Sequence, residues 1–118
     1  MSDRYVLDEK GQPVQEQDLI RWATWFGRSM EPDPERGARR VAVSALGDWR
    51  ISTVFLGIDH RFGSPGPPVL WETLVFGPEP WGGWTNRYTS RSDAEAGHKR
   101  LLNALIAGDA PAVIEGDS

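Results

Sequence analysis

The chain has no cysteine. That excludes a disulfide framework, thiolate zinc sites, iron–sulfur clusters and thiol catalysis, and it fits a reducing compartment. Histidine is almost as scarce. Only His60 and His98 occur, so a three-histidine metal site is impossible, and no HExxH spacing is present. No apolar run approaches the roughly 18 residues of a membrane span. The opening Met1–Asp8 has no apolar stretch of the signal-peptide kind, so a cytoplasmic location is the expectation. The phosphate-loop, dinucleotide and nucleophile-elbow patterns are all missing. With no marked nucleophile, the sequence reads against an enzyme, and no catalytic residue, metal or cofactor is assigned. Positive charge is also short, with 13 basic against 17 acidic residues and a formal charge of −4. Phosphate-backbone binding draws on a basic patch, so direct nucleic-acid binding is not expected. The one basic cluster, Arg36, Arg39 and Arg40, reads as a solvated loop.

What is present fits one domain. A chain of 118 residues can bury a real core unaided. Hydrophobic residues at 39% and charged residues at 25% are ordinary for a globular protein. Tryptophan is the unusual feature, with six, at positions 22, 25, 49, 71, 81 and 84. Large aromatics serve cores, interfaces and stacking platforms alike.

Local patterns predict the elements. Tyr5–Val14 reads as a hairpin turning at Lys10-Gly11. A helix is expected over 16–29, with Leu19, Trp22, Ala23 and Phe26 on one face. The prolines of 31–37 mark a loop. Strands are expected at Arg40–Ser44 and Trp49–Ile58, turning at Leu46-Gly47-Asp48, and the second has apolar residues on both faces, as if covered on both. Asp59–Pro68 is a Pro-rich connection. A strand over Val69–Phe76 places Leu70, Glu72, Leu74 and Phe76 on one face. A turn over 77–83 leads to a short strand, Trp84–Thr89. Helix 93–107 takes Ser92 as N-cap with Glu95 three residues on, and a stripe of Ala94, His98, Leu101 and Leu105. The expected fold is α+β, a mainly antiparallel sheet of three to five strands with two helices, in one domain over 1–108 with a loose tail at 109–118.

Several residues are candidates for function. Glu72 lies on an apolar strand face, where a carboxylate is costly unless paired. It is a group with burial-raised pKa, or a residue on a strand face partly open to solvent, or a partner for an arginine such as Arg50 or Arg87. His98 lies on the stripe that should face the core, where a structural role competes with that of ligand or base. Asp59 and His60 end a strand and open a loop, a common place for site residues, although Asp also caps turns. If the fold brought Asp59, His60, Glu72 and His98 together, they would be the right types for a nitrogen/oxygen metal site and a metal-assisted hydrolase. Trp81 and Trp84 flank Gly82-Gly83, beside Arg87 and Tyr88. They make either a stacking surface or a fold-back cover for the sheet.

The order Val54-Phe-Leu-Gly-Ile-Asp-His60, Gly66-Pro-Pro, Glu72-Thr-Leu-Val-Phe-Gly77, Arg87-Tyr-Thr-Ser and Glu95-Ala-Gly-His98 resembles a family of small proteins of bacteriophages, prophages and some bacteria. Tyr5–Val14 and Asp18–Phe26 extend the likeness over most of residues 5–100, and Pro78–Trp84 departs from it. That family has no assigned activity. The resemblance implies a bacterial-host cytoplasm and picks out Asp59, His60, Glu72 and His98 as positions of its pattern. The leading expectation is an accessory protein that binds a host protein or complex, for example in counter-defence. A nucleotide-binding protein using stacked aromatics and arginines is the alternative, and a homodimer is compatible with either.

Overall fold

The computed structural model describes residues 3–29, 39–61, 63 and 65–108. The expected tail and the loop around Arg36 fall outside them. Strands β1 (Tyr5–Leu7) and β2 (Pro13–Gln15) form a hairpin, followed by α1 (Leu19–Arg28). Then β3 (Arg40–Leu46), β4 (Trp49–Phe55), β5 (Trp71–Phe76) and β6 (Thr85–Tyr88) form one antiparallel sheet in chain order, and α2 (Arg91–Ala107) follows. The fold is α+β: two helices packed against a four-stranded antiparallel sheet, plus a hairpin.

Short connections dictate this order. Leu46 pairs with Trp49 across a two-residue turn, and Gly47 takes the left-handed φ of +57° that such turns need. Helix α2 lies across all four strands. Beneath it Ile51, Thr53, Phe55, Trp71, Thr73, Val75 and Tyr88 are buried against Ala94, His98, Leu101, Ala104 and Leu105. At one end of the sheet Tyr5, Leu7 and Leu70 close the core with help from Trp25. Phe55 sits edge-on to Trp25 at 5.9 Å and to Trp71 at 5.3 Å, the favoured aromatic geometry.

Several boundaries differ from expectation. Asp18 caps α1, so the helix starts at Leu19 rather than 16. Its docking face is Trp22, Trp25 and Phe26, whereas Leu19 and Ala23 are exposed. The Trp22 indole fixes that rotation by donating to the Gly57 carbonyl at 3.0 Å. Strand β4 ends at Phe55 because Gly57, at φ +75°, leaves the extended region. A Cβ there would meet the Phe26 ring at 2.9 Å. Ser90, not Ser92, caps α2, accepting from the Asp93 amide at 3.1 Å. An S-x-x-D spacing serves a cap as well as S-x-x-E does.

Candidate functional site

The Asp59 carboxylate is fully engaged. Its Oδ1 accepts from the amides of Arg61 at 2.9 Å and Val69 at 3.0 Å, and its Oδ2 accepts from Arg61 Nε at 2.7 Å. Arg61 Nη1 in turn donates to the Gly66 carbonyl. Burial works to raise the Asp59 pKa, but the two amides and the guanidinium outweigh it and hold the group below its ordinary value. Asp59 therefore clamps the start of the 59–69 loop to its end. His60 stands beside it, half-buried, with Nδ1 2.8 Å from the Ile58 carbonyl oxygen.

Glu72 and Arg87 are cross-strand partners on β5 and β6, with Arg87 Nε donating to Oε2 at 2.9 Å. Both lie on the sheet face away from α2. Glu72 is thus an arginine-paired carboxylate on a face open to solvent, the two structural roles expected of it, and not a buried group.

His98 lies on the opposite face, under α2, 4% exposed. Its Nε2 is 2.8 Å from Ser44 Oγ and its Nδ1 2.7 Å from Thr53 Oγ1, which is 2.6 Å from Thr73 Oγ1. Burial pushes its pKa below the ordinary 6.5. A neutral imidazole between two hydroxyls can donate to one and accept from the other, so strands β3, β4 and β5 are tied to α2 through one ring. His98 and Glu72 face opposite sides of the sheet, and among the described residues no three His, Asp or Glu side chains are grouped to hold a metal ion. The four polar candidates do not converge.

The aromatic candidates turn inward. Trp81 is 2% exposed and packs with Ile51, Val75, Leu101 and Leu105. Trp84 is half-buried, edge-on to Trp81 at 5.9 Å. Gly82 donates to the Pro78 carbonyl at 3.0 Å and Gly83 to that of Val75 at 2.9 Å, folding the segment back on β5. Tyr88 is 7% exposed, its ring lying over Gly97 of α2. Trp81 and Tyr88 therefore form core and offer no open stacking ring. Arg87 remains accessible on the other face.

That other face corrects the expectation that the second strand is covered on both sides: Arg50 is exposed, and Ser52 and Val54 are only half-buried. Opposite α2, the register aligns Val43, Ser52, Leu74 and Thr85 in one row. Ala45, Arg50 and Phe76 form a second row, and Arg40, Val54, Glu72 and Arg87 a third. None of these residues is buried, and Val43 and Phe76 are 40% and 52% exposed. Period-two alternation groups Glu72, Leu74 and Phe76, but does not show that no described element covers their face. No family model, curated protein or solved structure matches this chain.

Proposed function

We propose that the protein is a small binding module that docks a protein partner on the uncovered face of its sheet. The observation that carries this reading is that, among the described residues, only one side of the sheet is covered. Antiparallel sheets tolerate one wet face, but that face normally alternates to polar residues. Here it presents Val43, Val54, Leu74 and Phe76 together. Exposed apolar groups rimmed by charge mark interaction surfaces. The resemblance to phage and prophage proteins supports a host protein or complex as the partner, with counter-defence as the setting. A nucleotide would need an exposed stacking platform, and the inward-turned Trp81 and Tyr88 offer none.

The test is capture from a bacterial lysate by the full chain. Phe76→Asp and Val43→Asp, both at exposed positions, should retain the native circular dichroism spectrum and lose the captured partner. Ile106→Asp, at a 63% exposed position on α2, should keep it. Loss with Ile106→Asp and retention with the two sheet-face variants would overturn the reading.

A further inference from the structure

We infer that the partner taken by this face is acidic: a protein segment or surface with carboxylates around an apolar centre. The inference rests on the sheet-face reading and concerns what the face selects. Arg40 and Arg87 stand on the two edge strands, and Arg50 stands beside Phe76 in the middle. Among the described residues, Arg40 and Arg50 are in no ion pair, and Arg87 is paired only with Glu72. Among its aligned, described residues the face therefore holds three guanidinium groups against one carboxylate, on a chain whose formal charge is −4. A positive surface on a negative chain is local. It attracts an acidic partner to one face and turns it away from the rest.

The pattern also separates kinds of partner. Two copies meeting face to face would bring six guanidinium groups together with two carboxylates, and like charges gathered in one interface disfavour it. Single-stranded nucleic acid needs aromatic rings on which successive bases stack, and Phe76 is the one aromatic among the aligned residues of this face. Carboxylates suit the arginines by forked hydrogen bonds. Val43, Leu74 and Phe76 between them suit apolar side chains that lie among those carboxylates on the same side of an acidic segment.

The experiment titrates the full chain with a synthetic peptide of Glu-Glu-Leu-Leu repeats, which sets both residue types on each face of an extended chain, with oligo(dT), and with itself, read by backbone-amide NMR. The expected result is peptide-induced shifts at Val43, Arg50, Leu74 and Phe76, and binding that weakens with salt. Arg50→Glu should weaken it about tenfold, and Glu72→Gln, which frees Arg87, should tighten it about twofold. The thermal midpoints of both variants serve as fold controls. If Phe76→Asp weakens binding while Arg50→Glu and Glu72→Gln leave it unchanged, the acidic partner is overturned and the sheet face stands. Absence of peptide binding, while Phe76→Asp still loses the captured lysate partner, likewise overturns the acidic partner and leaves the sheet face standing. Shifts confined to other surfaces overturn both. Tighter binding of oligo(dT), or self-association through the same residues, overturns the acidic protein in favour of nucleic acid or a second copy.

Discussion

His98 is 4% exposed with hydroxyls at both ring nitrogens, and Asp59 is 6% exposed with three donors on its carboxylate. Both have folded-state pKa values below their ordinary ones, 6.5 and 3.8. The unfolded chain therefore binds the proton more readily in each case, and stability falls as pH falls. The His98 contribution is present above about pH 6.5 and is lost as pH drops through the lower folded value. The Asp59 contribution is present above about pH 3.8 and is lost in a later, more acid step. Urea unfolding midpoints measured across pH should show both declines. His98→Gln should remove the first and Asp59→Asn should shrink the second. An unchanged slope below pH 6.5 in His98→Gln would show that the ring is not held neutral. At this scale the sequence showed which residues were unusual, but not what surrounds them. Asp59 could be read as a turn former or a site residue, and the amides of Arg61, two residues on, and Val69, ten residues on, decide for the turn.

Helix α2 owes its position to a small residue. The Tyr88 ring lies over Gly97, and a Cβ there would run into it. Gly97→Ala should therefore destabilise the fold by about 1–3 kcal/mol, against the gain that alanine gives an exposed helix. The Tyr88 hydroxyl has no hydrogen-bond partner among the described residues. Tyr88→Phe should therefore be neutral, or stabilising by up to about 1 kcal/mol. Thermal unfolding of the two variants checks both signs.

Strands and helices could be placed from sequence because period two and capping act locally. The covered face could not be. The α2 side carries two threonines, Thr53 and Thr73, buried by pairing with each other. The open side carries Val54, Leu74 and Phe76, so the contrast between faces is weak. The rotation of α1 escaped for a similar reason. Leu19 and Ile20 extend its apolar stripe yet are 58% and 77% exposed, while Trp22 is held by a carbonyl 35 residues away.

At the scale of the molecule, helices, hairpin and Trp81 all serve one side of the sheet, and among the described residues nothing covers the other, which carries Val43, Leu74, Phe76 and three arginines. The expected site residues divide accordingly. Asp59, His98, Trp81 and Tyr88 hold the fold. Glu72 and Arg87 belong to the open face with Arg40, Arg50 and Phe76, where the proposed docking takes place. Residue-level hydroxyl-radical footprinting, on the full chain free and after incubation in a bacterial lysate, tests that assignment. Docking on the sheet predicts protection of Val43, Leu74 and Phe76, with Leu19, Ile20 and Ile106 as reactive as in the free protein. Protection of Leu19, Ile20 or Ile106 with an unprotected Phe76 would place the partner elsewhere and contradict it.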